Sequence, residues 1–503
     1  MPADKVVVVG AGMGGLAAAA DLAHRGAQVV VCERAAAPGG KMRHVDVGGV
    51  AVDGGPTVFT MRWIFEGLFA DAGERMQDHL DLIPATVLAR HAWRDGGRLD
   101  LFASIDQSAD AIAAFAGPEA ARGYRAFCQR SAAIYRTLAG PFIAAERPSA
   151  MDLTRRIGVL NLPALWQTAP MHTLWSALGE HFRDPRLRQL FGRYATYVGA
   201  SPWLAPATLM LIAHVEQDGV WLVRGGIHNV ARAIMGLAER RGAQFRFGAA
   251  VKHILMERGR AAGVELESGE RIAADAVVFN GDISALPDPQ RPVPATERMA
   301  RSLSAVTWCL HARTSGFALD HHNVFFAEDY AAEFDSIFRK RSITQTPTVY
   351  LCAQDRGAGS VHVDGEPERL LALINAPADG DVAPLAPAAV DDLARRTFGL
   401  LERCGLQVER SGGVATTPSG FHALFPGTGG ALYGRANHGM MGSFARAGAT
   451  GKIPGLYLAG GSVHPGPGIP MAAMSGRIAA ARLLQDRAPA SARKRGPVMF
   501  RPG

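Results

Sequence analysis

The stretch Lys5-Val6-Val7-Val8-Val9-Gly10-Ala11-Gly12-Met13-Gly14-Gly15 decides the fold of this chain. A four-valine run suits a buried parallel strand, and it stops at a glycine. Residues Met13 to Arg25 are Ala- and Leu-rich helix material ending at Gly26, and Gln28 to Cys32 is a second apolar run, so the chain opens as a βαβ unit. Gly10, Gly12 and Gly15 match G-x-G-x-x-G at the turn where that pattern has mechanical meaning. Gly10 permits the sharp turn, Gly12 lets backbone approach a diphosphate, and Gly15 lets helix pack on strand. The amides and dipole at the helix N-terminus favour the anion. Glu33 closes the second strand, where a carboxylate accepts both ribose hydroxyls of an adenosine and repels a 2′-phosphate. That points to FAD or NAD and away from NADP.

Further glycine clusters choose between the two. Glu33-Arg34 is followed by Pro38-Gly39-Gly40-Lys41 and then Asp53-Gly54-Gly55-Pro56-Thr57. At the far end, Leu456 to Gly461 reads as a strand, followed by a Gly-rich loop and a small-residue helix from Met471 to Leu484. These clusters resemble those that line the ribityl chain and isoalloxazine edge in flavin oxidoreductases of the glutathione-reductase-like fold. The resemblance becomes specific at Gly460-Gly461-Ser462-Val463-His464-Pro465-Gly466-Pro467-Gly468-Ile469-Pro470 and at Asn280-Gly281-Asp282, where Gly281 departs from the family's alanine. Over about residues 4 to 486 the chain is similar to bacterial carotenoid desaturases of the phytoene desaturase family. Pro56 to Trp63 and Asp71 to Arg75 most resemble the hydroxyneurosporene (methoxyneurosporene) desaturases of purple photosynthetic bacteria, which introduce the 3,4 double bond into a 1-hydroxylated carotenoid.

The resemblance implies an α/β chain: a Rossmann-like FAD-binding domain of the glutathione-reductase-like fold, a mixed-sheet substrate domain and a helical insertion. The expected boundaries are 1–75, 222–290 and 448–486 for the FAD-binding domain, 76–100 and 291–447 for the substrate domain, 101–221 for the insertion and 487–503 for a basic tail. A small β-meander returning to a parallel sheet is expected within Phe245 to Phe279. It assigns to FAD the residues Gly10, Gly12, Gly15, Glu33, Arg34, Gly39, Gly40, Lys41, Gly55, Pro56, Thr57, Val251, Asn280, Gly460, Gly461, Gly468, Ile469 and Pro470. Dehydrogenating a C–C bond beside a polyene needs a hydride acceptor, an apolar slot and a group that takes a proton. The candidates for that group are His464, Arg62 and Asp282. Each has a structural alternative: His464 bonding backbone in its loop, Arg62 anchoring a phosphate or carbonyl, Asp282 capping Ser284 to Leu286.

Composition bounds the rest. The chain has 503 residues, 48% hydrophobic and 20% charged, which excludes a disordered or fibrous chain. Arg487, Arg493, Lys494, Arg495 and Arg501 supply most of the net +7, so the body is near neutral and offers no nucleic-acid surface. The tail itself reads as a solvated end, with Met499 and Phe500 available to anionic lipid headgroups. Five scattered cysteines without C-x-x-C suggest no disulfide framework, and no metal-ligand set is present, so no metal is expected. No secretory signal is read at the N-terminus. Ile157 to Gly179 and Tyr194 to Val215 lack charge, but their prolines and polar groups argue against a transmembrane helix. They either enter one leaflet or form a buried helical layer around an apolar pocket.

A second dinucleotide fingerprint is missing, so a stably bound nicotinamide is not expected, and the resemblance implies oxygen or a membrane quinone as the electron acceptor. The expected location is cytoplasmic, peripherally associated with the inner membrane. The rival readings are a phytoene desaturase or carotenoid isomerase on the same scaffold, an amine oxidase with an aromatic pair at the flavin (Trp203 and Trp221 being unassignable), and a flavin-free lipid-binding escort protein of the Rab-escort type.

Overall fold

The computed structural model describes residues 4–158, 171–287, 290–292, 294–360, 362–410, 412–488 and 496–502. Most of the charge-free stretch from Ile157 to Gly179, Trp166 included, and the basic run Arg493 to Arg495 lie outside the described residues.

The valine run forms the strand Lys5–Val9 at the centre of a five-stranded parallel sheet. Gln28–Cys32 and then Gln244–Arg246 lie on one side of it, Ala276–Phe279 and then Leu456–Leu458 on the other. Strands from both chain ends and from the middle therefore share one sheet. The helices Met13–His24, His228–Arg240 and Ile469–Arg487 pack into one core with it. The first and last of these helices meet at glycines: a Cβ on Gly476 would lie 2.0 Å from Gly14 O, so no side chain fits between them. The expected meander is the antiparallel sheet Val251–Glu257, Arg260–Leu266 and Arg271–Ala273. Ile254, Val264 and Leu266 share a core with Val7, Val277 and Leu458 of the parallel sheet.

The second sheet is mixed and seven-stranded. It runs in the order Val414–Thr416, Ser304–Ala312, Glu368–Ala376, Val349–Ala353, His322–Phe325, Val87–Ala92, Arg98–Phe102. Helix Pro387–Arg403 buries Leu393, Phe398 and Leu401 against it. From Ile105 to Gln217 the described residues are helices, turns and isolated bridges. The insertion begins with two helices, Ile105–Ala116 and Pro118–Leu138, because Gly117 at φ 90° followed by Pro118 ends the first and begins the second. Tyr194, Ala207, Met210 and Ala213 of the second charge-free stretch are buried in the helical core.

The tail departs from the solvated end expected for it. Arg487 closes the last helix and pairs with Asp4, and Val498 is buried. Phe500 N donates to Ala144 O at 2.6 Å, while the Phe500 ring lies 4.6 Å from the Arg477 guanidinium. Backbone pairing to Ala144–Glu146 and an aromatic–cation contact offset the ordering cost. Of the two residues considered for lipid contact, Met499 alone is exposed.

Asp379 predicts an acid limit to stability. It is 4% exposed and accepts from Arg298 at 2.8 Å and from Arg341. Burial by itself raises its pKa, but the two guanidiniums override burial and hold it at about 2. A folded-state pKa below the unfolded one contributes stability that is present above the ordinary carboxylate range and lost as pH falls through about 2. Asp379→Asn is expected to cost about 1–2 kcal/mol at neutral pH, allowing for the half-exposed Arg298. That difference should vanish towards the acid end of a series of thermal unfolding curves.

Candidate active site

A cavity of about 1610 Å³ runs from the glycine turns of the parallel sheet to the helical region. At its polar end Gly10, with φ 95°, makes the turn that leads into helix Met13–His24. A Cβ on Gly15 would stand 2.1 Å from Gly10 O, so the helix can approach only as it does. Neither that helix nor Ile469–Arg487, which also begins at the cavity wall, has a side-chain cap or an acid in its first turn. Two uncapped helix N-termini thus border one cavity, with dipoles and free amides suited to anionic or electron-rich ligand atoms.

Glu33 is 6% exposed and lines the same wall. Its Oε2 accepts from Ala11 N at 2.7 Å and its Oε1 from Ala35 N at 2.8 Å, which aims the carboxylate and leaves lone pairs for hydroxyl donors. Asn280 Nδ2 donates to Gly10 O at 3.1 Å, locking the turn to the neighbouring strand. A Cβ on Gly12 would meet that amide at 2.9 Å. These features fit a dinucleotide: an acceptor for ribose, a turn without side chains and amides for a diphosphate.

Of the residues assigned to FAD, all but Gly15 line the cavity, including Arg34, Gly39, Gly40, Lys41, Gly55, Pro56, Thr57, Val251, Gly460, Gly461, Gly468, Ile469 and Pro470. Gly15 lies beneath them. Lys41 Nζ donates to Leu432 O at 2.5 Å. Burial lowers the Lys41 pKa, and Asp282 acts against that shift. Arg446, its pKa lowered to about 10 by burial, holds the Tyr433, Arg435 and Gly461 carbonyls.

The three proton-acceptor candidates are not brought together. Asp282 lines the cavity but accepts from Ser284 N at 2.9 Å, which is the capping alternative. His464 is 2% exposed and is not on the cavity wall. Its Nε2 is 2.9 Å from Phe142 O and 3.0 Å from Ala145 O, and burial lowers its pKa to about 4, so it is a neutral ring held on backbone. Arg62 lies off the wall too, its Nε donating to Glu66 Oε1 at 2.6 Å and its guanidinium 5.7 Å from the Trp221 ring. Neither Trp203 nor Trp221 lines the cavity, Trp203 being packed against Trp175 with ring centroids 4.3 Å apart and the planes tilted by 30°.

The far limb is apolar, with Leu138, Phe142, Ile143, Leu209, Ile212 and Phe444 on its walls. Sequence reading missed Arg193, Tyr197 and Glu216, which also line it. A signal was available, since Arg193 and Glu216 are the opposite charges that bound the charge-free stretch Tyr194 to Val215. Met440 and Met441, both exposed, line the cavity, as does Ala150, and the helix Ala150–Ile157 carries exposed Met151 and Arg155. Among the described residues no helix is long and apolar enough to cross a membrane.

A family model described as flavin containing amine oxidoreductase matches residues 13–484. A hydroxyneurosporene desaturase from Rubrivivax gelatinosus is 55% identical over 489 residues, which is 95% of this chain and 93% of that one. A 1-hydroxycarotenoid 3,4-desaturase from Flavobacterium sp. (strain P99-3) is 31% identical over 95% of this chain and 98% of its own. Among solved structures, a putrescine oxidase variant is similar with a TM-score of 0.62 at 16% identity, over 96% of this chain and 99% of that one, a likeness of fold alone.

Proposed function

The chain belongs to the flavin-containing amine oxidoreductase family, and from that premise we propose that it is an FAD-dependent carotenoid desaturase. It introduces a C=C bond at the 3,4 position of an acyclic 1-hydroxycarotenoid such as 1-hydroxyneurosporene. The observation that carries this reading is the match to the Rubrivivax desaturase along almost the whole of both chains. The continuous cavity, polar at the glycine turns and apolar beyond them, suits a dinucleotide at one end and a polyene at the other.

In this reading Glu33 holds the adenosine ribose, the amides around Gly12 and Met13 hold the diphosphate, and the segment Gly55 to Thr57 with the helix beginning at Ile469 borders the flavin ring. Bound flavin supplies a hydride acceptor. The chain's own contribution is to seat the polyene, exclude water and accept a proton. Apolar burial of a long polyene contributes roughly 25 cal/mol per Å² before ordering costs. Asp282 is the proton-acceptor candidate that lines the cavity. His464 positions the Phe142–Ala145 segment of the cavity wall. The exposed methionines and Arg155 near the cavity support docking on a membrane surface, through which the substrate enters. Oxygen or a membrane quinone reoxidises the flavin.

The uncapped helix termini and the oriented Glu33 also weigh against a flavin-free escort protein. The test is to incubate flavin-loaded protein with 1-hydroxyneurosporene and with phytoene in liposomes and read product mass and spectrum. The expected product from the hydroxycarotenoid is two hydrogens lighter and absorbs at longer wavelength. Conversion of phytoene alone would overturn the substrate reading, and a product of unchanged mass would indicate an isomerase.

A further inference from the structure

The apolar limb contains a buried charge cluster that neither dinucleotide retention nor the proton-acceptor candidates use. Glu216, 6% exposed, accepts from the Tyr194 phenol at 2.7 Å and from the Tyr197 phenol at 2.5 Å. Arg193 Nη2 is 3.4 Å from the Tyr197 oxygen, and its guanidinium lies 5.3 Å from the Tyr197 ring centre. Arg193 Nε is buried with no hydrogen-bond partner. Arg193, Tyr197 and Glu216 face the cavity, while Tyr194 stands behind them.

A cluster that served only to hold the fold would close on itself. Here a donor is left over on Arg193, and an ionised carboxylate has more acceptor sites than two phenols fill. Burial raises the Tyr197 pKa, so its hydroxyl stays protonated. Burial acts to lower the Arg193 pKa, but the acidic groups beside it, Glu216 among them, outweigh burial and keep the guanidinium charged. Charges in an apolar slot cost desolvation free energy that a hydrocarbon ligand cannot return. A hydroxyl can, since it donates once to a carboxylate and accepts from a guanidinium or phenol.

We propose that Arg193, Tyr197 and Glu216 form the subsite that binds the C1 hydroxyl of the substrate and selects a hydroxylated end group over a hydrocarbon one. The proposal rests on the desaturase reading above. The location agrees with it. Tyr350 lines the same cavity and packs against the same core as Tyr197, and its phenol lies 2.6 Å from Thr57 Oγ1, in the segment assigned to the flavin edge. A hydroxyl on C1 is two carbons from C3, so its subsite must adjoin the reacting bond.

Flavin-loaded Tyr197→Phe and Glu216→Gln proteins, with flavin content and thermal midpoint read first, test this. Dissociation constants for 1-hydroxyneurosporene and neurosporene in phosphatidylcholine vesicles, measured by quenching of protein fluorescence, give a preference ratio. Each variant is expected to lower the preference for the hydroxylated carotenoid by about 10–100-fold, with neurosporene binding changed less than about threefold. Arg193→Lys keeps the charge but loses the fork, and is expected to lower the ratio too; it decides the matter where another variant is recovered without flavin. Equal weakening of both carotenoids, or an unchanged ratio, would overturn the subsite. A wild-type protein that converts phytoene alone defeats the substrate reading itself, whereas a wild-type preference that survives all three variants defeats only the subsite.

Discussion

Glu33→Gln is expected to weaken FAD binding by about 100-fold while leaving FMN binding within about threefold. The carboxylate is fixed by two backbone donors, Ala11 N and Ala35 N, one on each oxygen. Glutamine has only one acceptor oxygen, so either orientation of its amide sets an NH₂ group against a backbone N–H. The ribose also loses a charged acceptor, and hydrogen bonds to charged groups contribute about 1.5–3 kcal/mol each. FMN carries no adenosine and never reaches this carboxylate, which makes it the internal control. Fluorescence titration of flavin-stripped protein with each nucleotide reads both constants. Equal losses for FAD and FMN would mean that the turn at Gly10 had collapsed and that Glu33 does not hold the ribose.

That contrast depends on a cavity assembled from distant parts of the chain. Gly14 receives Gly476 from the last helix, and a Cβ on Gly14 would lie 2.7 Å from the backbone N of Gly460. Asn280 ties the middle of the chain to Gly10, and Ser475 Oγ accepts from Gly460 N at 2.7 Å. The polar end of the cavity is therefore a product of the parallel sheet, whose strands end side by side there. The apolar end is walled by the helical region, with Leu138, Leu209 and Ile212, and by the mixed sheet, with Val324, Leu371 and Leu373.

This division explains what could be read in advance. The strands Lys5–Val9 and Gln28–Cys32 were legible because buried parallel strands need continuous apolar runs, and Gly10 and Gly15 because no other residue fits the turn. The strands Val87–Ala92 and Arg98–Phe102 were not. They carry Arg90 and Asp100, which pair with each other across the ladder and break the apolar pattern. His322–Phe325 was too short and buried a histidine and an asparagine. His464 lies in a motif just before the helix Ile469–Arg487, but Phe142 and Ala145, more than three hundred residues earlier, capture its ring. No local pattern reports such a partner. Arg193 and Glu216 illustrate the same limit, since their meeting depends on the path of the helices between them.

Arg477→Met is expected to cost about 3–5 kcal/mol of stability at neutral pH, and part of that loss should return on mild acidification. Arg477 is 3% exposed and joins three elements: its Nε donates to Asp21 Oδ2 at 3.2 Å, its Nη1 to Ile64 O at 3.2 Å and its Nη2 to Asp71. Burial raises the Asp21 pKa above its ordinary value, and Arg477 is the main influence lowering it. Methionine keeps much of the packing but strands that carboxylate, so its pKa rises further. A folded-state pKa above the unfolded one means that the folded form binds more protons. Stability is then lost as pH rises through the folded pKa and regained as pH falls. The variant should therefore lie closest to wild type in mildly acidic buffer, and adding Asp21→Asn should recover part of the neutral-pH deficit by removing the stranded charge. Thermal midpoints across a pH series decide this. A deficit that is the same at acidic and neutral pH would mean that the lost contacts with Ile64 O and Phe500, rather than the stranded carboxylate, account for it.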